Sequence, residues 1–106
     1  MKTLIGLFAV ASITCVAAAH SAGVVTVAQR SRAFAVPSVQ VSRGDTVHFV
    51  NDDAFLHQVY VDAPGFKFES PEQEPGQSVD LRFSQAGMFT VFCHIHPKMT
   101  LQVEAR

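Results

Sequence analysis

From Val24 to the carboxyl terminus, no apolar pattern at helical spacing lasts for three turns. Short runs rich in Val, Phe and Thr alternate instead with Gly, Pro, Asp and Asn. β-Branched and aromatic side chains lose rotamer freedom against the preceding turn of a helix but fit a half-buried pleated surface, so this pattern points to an all-β domain. Strands are expected at 23–30, 37–43, 45–51, 57–62, 66–70, 77–83, 87–93 and 100–105. Turn-forming stretches separate them: RGD from 43, NDDAF from 51, DAPG from 62, SPEQEPG from 70 and QAG from 85. Short strands at this spacing suit a two-sheet sandwich. No internal repeat, low-complexity segment or linker interrupts them, so a single domain is expected.

Ahead of that domain, Lys2 precedes an apolar run from Leu4 to Ala19 that ends in the small residues of VAAAHSAG. A basic start, an apolar centre and a small-residue end describe a secretory signal peptide. Residues 1–19 are read as the signal and 20–106 as the mature domain, with cleavage after Ala22 as the alternative. The run is shorter than the ~20 apolar residues of a membrane span, and no other stretch could cross a bilayer. Lipoprotein processing would need small residues just before Cys15, where SIT stands. A periplasmic or otherwise exported protein, not membrane-spanning after signal removal, is expected.

Export bears on the cysteines. Cys15 leaves with the signal, so Cys93 has no partner and no disulfide is expected. The remaining chain of about 87 residues lies near the small end for a self-sufficient core, and its lone thiol calls for another role. The whole chain carries a formal charge of −1, which becomes more acidic without Lys2. Nothing in it resembles a nucleic-acid footprint or a membrane-binding patch, and a monomer is expected.

The stretch VFCHIHPKMT, residues 91–100, crowds one cysteine, two histidines and one methionine into the positions from Cys93 to Met99. Three explanations compete: a metal site, a nucleophilic cysteine with a histidine base, or ordinary loop composition. Side chains two apart on a strand share a face. Phe89, Val91 and Cys93 form one inward row, and His57, Val59 and Val61 another. Met99 has the parity of the inward pair Leu101 and Val103. Three soft or borderline donors therefore stand at ends of inward rows that a sandwich could bring together. A thiolate and two imidazoles with a weak axial thioether favour copper in electron transfer. Zinc rarely uses methionine, and iron–sulfur clusters need several cysteines. A Cys–His hydrolase would need an orienting third group and a cleft, neither of which is evident.

The segments FAVPSVQVSRGDTVHFVNDDAFLHQV and GMFTVFCHIHPKM resemble the cupredoxins, the type 1 copper proteins of the plastocyanin, pseudoazurin and amicyanin group. The short Cys-x-x-His-x-x-Met loop, with proline directly after the histidine, is most like that of amicyanin. The resemblance implies a Greek-key β-sandwich of about seven to eight strands and one copper ion cycling between Cu(I) and Cu(II). It implies His57 and His96 as imidazole ligands, Cys93 as thiolate and Met99 as axial thioether. It further implies an electron carrier and no enzyme, with redox partners docking near His96 on an apolar patch of Ala54, Phe55, Leu56, Ile95 and Pro97. A copper-delivery protein that does not cycle the ion is the alternative. Two positions depart from the family pattern. Gln58 stands where many members have an asparagine that braces the ligand loops, and His94 lies between cysteine and histidine, where it is expected to face solvent, with a supporting group behind a ligand or a second metal contact as the alternative. His48 is expected on the outer face of a strand, and the ESPEQE run as a solvated loop.

Overall fold

The computed structural model describes Gly6 and residues 22–106; the expected signal peptide, Gly6 apart, lies outside the described residues. Nine strands, in order, are β1 Val24–Arg30, β2 Ala33–Phe34, β3 Ser38–Val41, β4 Thr46–Asn51, β5 Tyr60–Ala63, β6 Phe66–Glu69, β7 Ser78–Arg82, β8 Gly87–Phe92 and β9 Thr100–Ala105. They form a four-stranded sheet, β2-β1-β4-β7, and a five-stranded sheet, β3-β9-β8-β5-β6.

Alternation builds each layer. In β4, Val47 and Phe49 are buried while Thr46, His48 and Val50 are partly exposed, and β9 buries Leu101, Val103 and Ala105 in the same way. Distant segments then pair: β1 lies parallel to β4 with Val27 opposite Phe49, and β3 parallel to β9 with Val39 opposite Val103. β8 runs antiparallel to β9, with Val91 opposite Leu101. Between the sheets, Phe66, Phe83 and Phe89 pack with centroids 4.9–5.7 Å apart, and Phe34 meets Phe49 edge-on at 5.8 Å. The buried rings of Phe34, Phe49, Phe83 and Phe89 each contribute roughly 1.5–3 kcal/mol through removal from water.

Register fixes which loops share an end. β4 finishes at Asn51 and β8 at Phe92, while β7 begins at Ser78 and β9 at Thr100. The 52–59 segment and the 93–99 loop therefore emerge at one pole. At the other, the Arg43 amide donates to the Arg106 carbonyl at 2.9 Å and the Gly44 amide to the Phe83 carbonyl at 2.7 Å.

Two expectations need correcting. The strand placed at 57–62 begins only at Tyr60. His57 instead forms an isolated antiparallel bridge with Gln73, and Gln58 and Val59 lie between the bridge and the strand. β2 was not expected, because its two-residue hairpin turn, Ser31 and Arg32, lacks the usual glycine or asparagine. Both residues nonetheless take left-handed φ, 52° and 56°, a conformation that costs side-chain-bearing residues about 1–3 kcal/mol each unless surroundings hold it. The Arg32 amide is held by Asp53, at 2.8 Å.

Candidate metal centre

Asn51, the last residue of β4, organises the pole. Its buried side-chain amide donates to the carbonyls of Phe55 at 2.8 Å and Gln73 at 2.9 Å, and its Oδ1 accepts the Asp53 amide at 3.0 Å. The chain is thereby folded back so that Asp53 points inward. Asp53 Oδ2 accepts from the Arg32 amide at 2.8 Å and from His57 Nε2 at 2.9 Å, and Oδ1 accepts the Ala54 amide at 2.8 Å. The Arg32 amide, helped by His57 and Ala54 against the opposing effect of burial, holds the Asp53 carboxyl below its ordinary range.

His57 is fully buried. Its backbone is tied on both sides to Gln73, through His57 N–H to Gln73 O at 3.0 Å and Gln73 N–H to His57 O at 2.7 Å. An ionised carboxylate only accepts hydrogen bonds, so the proton of the neutral ring lies on Nε2, facing Asp53. Nδ1 then carries a lone pair. It is buried and has no hydrogen-bond partner among the described residues, an arrangement that costs stability unless another group uses that lone pair. A metal-binding imidazole is commonly oriented in this way, with its far N–H on a carboxylate.

Cys93 follows β8 and is buried, 2 % exposed; Sγ accepts the Gln58 backbone amide at 3.3 Å. The residue after His57 is thus bonded to the candidate thiolate, 35 positions away in sequence. Met99 is equally buried and belongs to the same core cluster as Cys93. His96 is partly exposed. Its ring centre lies 5.0 Å from that of His57 and 6.2 Å from that of Phe55, and its Nε2 lies 3.1 Å from the Leu56 carbonyl. The loop turns tightly here, with the Met99 amide donating to the His96 carbonyl at 2.9 Å.

All four predicted donors therefore lie at one pole, joined through the His57–His96 ring contact, the Gln58–Cys93 bond and the shared core. They are not closed on one point: among the described residues, no three His, Cys, Asp or Glu side chains form a ready metal-holding group. The His96 ring leans on the Leu56 carbonyl instead. The donor set nevertheless fits copper, because it offers a buried thiol, a thioether and an imidazole nitrogen with an unused lone pair.

Gln58 does not brace the two ligand loops through its side chain. Its amide donates to the Ser70 carbonyl at 2.8 Å and lies 3.3 Å from Glu69 Oε1, both at the end of β6. His94 faces outward, half exposed, with its ring 4.0 Å from that of Tyr60 and Nε2 3.7 Å from Glu69. His48 is on the outer face of β4, paired with Asp80 of β7. In the ESPEQE run the glutamates are exposed as expected, but Ser70 and Gln73 are buried.

Sequence reasoning missed three residues: Asn51, Asp53 and Gln73. The i, i+4 spacing of Asp53 and His57 is a usable signal in retrospect. No local pattern marks Gln73, whose role exists only through the bridge.

Comparison with known proteins agrees with this geometry. Residues 21–105 match the family model described as copper binding proteins, plastocyanin/azurin family. Plastocyanin from Ulva pertusa is 28% identical over 87 residues, covering 70% of this chain and 89% of its own. A Cu(I) form of a mutant amicyanin superposes with a TM-score of 0.73 at 26% identity, covering 78% of this chain and 82% of that one. A copper-containing nitrite reductase from Thermus scotoductus shares the fold with a TM-score of 0.69 and 26% identity, but only 22% of that chain is covered. With a two-sheet all-β sandwich, soft donors gathered at one pole and a family match over nearly all the described residues, this chain belongs to the plastocyanin/azurin family of copper binding proteins.

Proposed function

We propose that residues 20–106 act, after removal of an exported chain's signal at 1–19, as a monomeric one-copper electron carrier with no catalysis of its own. His57, Cys93 and His96 would hold the ion and Met99 would be the weak axial donor. The observation that carries this reading is the buried His57 ring, with Nε2 fixed by Asp53 and Nδ1 unpartnered. A bound copper ion would supply a one-electron Cu(I)/Cu(II) couple.

The protein's part is to hold donors still and keep water away. Burial of Cys93 and Met99 removes solvent from the sulfur side, and the Gln58 N–H on Sγ stabilises negative charge there. Asp53 orients His57 from behind. Rigid donors change little between oxidation states, so an electron enters and leaves with little rearrangement. Redox partners would approach the exposed patch of Ala54, Phe55, Leu56, Ile95 and Pro97 around His96.

Loading the protein with Cu(II) tests the proposal. An intense thiolate-to-copper absorption band in the visible region, lost in Cys93→Ser and reversibly bleached by reduction with the ion retained, is the expected result. Release of copper on reduction would instead favour metal delivery, and an unchanged colour in Cys93→Ser would remove Cys93 from the site.

A further inference from the structure

The cations of the described residues divide into two kinds. Arg30, Lys67 and Arg106 are paired with Asp52, Asp62 and Glu104. Arg32, Arg43, Arg82 and Lys98 have no carboxylate partner among the described residues. These four fall into two pairs at opposite poles. Arg43 and Arg82 border one depression, far from His57, while Arg32 and Lys98 border another together with Ile95, His96 and Pro97.

The second pair sits on the apolar patch itself. The Arg32 guanidinium lies 3.9 Å from the centre of the Phe55 ring, a cation–π arrangement that keeps the charge beside the patch. Phe55, Leu56 and Ile95 are each about two-fifths exposed, at 41%, 40% and 37%. The carboxylates of Asp52, Asp53 and Glu69 do not cancel these charges at the surface, and the exposed Glu72 and Glu74 lie on the 70–77 loop, Glu72 bordering a different depression. Asp52 is engaged by Arg30, and Asp53 is turned inward, its side chain 7% exposed, onto His57 and the Arg32 and Ala54 amides. Glu69 lies on the flank beside His94 and Gln58. A chain with a formal charge of −1 therefore presents two positive charges, Arg32 and Lys98, at the depression beside His96.

Resting on the carrier reading above, we propose that this face receives a redox protein whose own contact surface is apolar at the centre and rimmed by Asp and Glu. Phe55, Leu56 and Ile95 make the dry contact over His96. Arg32 and Lys98 attract the acidic rim, which sets encounter rate and orientation more than final affinity. A partner with a basic rim would be repelled, although the chain as a whole is acidic.

Small redox complexes of opposite charge test this. Reduced, copper-loaded protein gives one electron to ferricyanide, forming the Cu(II) protein and ferrocyanide, or one electron to tris(phenanthroline)cobalt(III), forming the cobalt(II) complex. The ferricyanide rate is expected to fall as salt rises, and the cobalt rate to stay level or increase. At ~0.1 M salt, Lys98→Glu and Arg32→Glu are each expected to slow ferricyanide by roughly tenfold, the lower end of electrostatic steering effects. Arg43→Glu, the same charge change at the far pole, should alter it by less than about twofold, since exposed charges beyond the ~10 Å Debye length are largely screened. Arg32 lies outside the 93–99 loop, so its variant separates steering from any change in potential caused by Lys98→Glu. Equal slowing by Lys98→Glu and Arg43→Glu would overturn the proposal, leaving net charge as the only factor. A second measurement needs no copper: redox-inert hexacyanocobaltate(III) should shift the amide resonances of residues 31–33 and 95–98, and Arg32→Glu should abolish those shifts. Shifts confined to residues 43, 44 and 82 would also overturn it. Failure of reversible reduction in the native protein would overturn the carrier reading, and this one with it; normal reduction without charge discrimination would overturn this one alone.

Discussion

The two histidines proposed as ligands sit in contrasting halves of one pole. His57 is sealed: no part of it is exposed, its backbone is bridged to Gln73 on both sides, and its ring is fixed to Asp53. His96 is partly open, on a loop outside any strand, with its ring resting on a carbonyl and beside Phe55. The sealed half is built from segments far apart in sequence, since Asn51 and Gln73 are 22 positions apart and Gln58 and Cys93 are 35 apart. The open half is a single run of seven residues. One half depends on the fold to exist, and the other supplies the partly exposed histidine and the surface proposed to meet a partner.

The most severe test of that contrast is a pair of variants. His57→Ala is expected to abolish the blue absorption and the paramagnetic signature of the Cu(II) protein, while His94→Ala leaves both intact. An unchanged spectrum in His57→Ala, with loss in His94→Ala, would mean that the 93–99 loop holds copper alone, and the division into two halves would collapse.

Exposure makes the next prediction. If His96 is the open ligand and His57 the sealed one, added imidazole should restore the absorption of His96→Gly at lower concentration than that of His57→Gly. Titration of both variants with imidazole reads the difference directly, and equal half-restoring concentrations would show that burial does not separate the two.

Asp53 sharpens the comparison without being a ligand itself. Asp53→Ala strands the Arg32, Ala54 and His57 donors, and a buried donor left unpaired costs ~1–3 kcal/mol; denaturant unfolding of the copper-free protein should show a loss of that size. Copper affinity by competition titration should fall by about 10–100-fold, as is usual when the group behind a ligand is removed. The Asp53 carboxyl lies below its ordinary value of 3.8, chiefly through the Arg32 amide. Its contribution to stability is therefore fully present above about pH 4 and is lost as the pH falls through the depressed value in the folded protein. Asp53→Asn should flatten that part of the pH–stability curve.

The smallest effect is expected at Met99. Leucine is close in volume, so Met99→Leu should cost less than about 1.5 kcal/mol in the copper-free protein. The copper site should keep its colour and change its potential, because the axial donor tunes potential without creating the charge-transfer band. Voltammetry of the variant checks this.

How much of this was readable in the chain differs between the halves for the same reason. Periodicity of two placed β4, β8 and β9 nearly to the residue, because one face of each is buried and a slip would turn its apolar set outward. The same parity put His57, Cys93 and Met99 on inward rows, and all three are buried. The 93–99 loop announced its chemistry through composition and spacing within a few positions. By contrast, β2 was invisible because Ser31 and Arg32 hold left-handed conformations without the usual glycine or asparagine, and the Arg32 amide is held by Asp53, 21 positions away. The start of the strand at 57–62 was misplaced because the bridge to Gln73, not local propensity, sets the backbone there.

By itself, then, the sequence determined the class of fold, the inward faces and the soft-donor loop, since each depends on residues within a strand or a turn of one another. Only the tertiary structure decided that Asn51, Asp53 and Gln73 build the cradle of His57, that the Gln58 backbone amide reaches Cys93 while its side chain turns to Ser70, and that two cations without a carboxylate partner among the described residues lie beside His96. Those outcomes depend on hydrogen bonds and charges between segments whose proximity is created by strand pairing and sheet packing, and, the i, i+4 spacing of Asp53 and His57 apart, no local pattern in the chain encodes them.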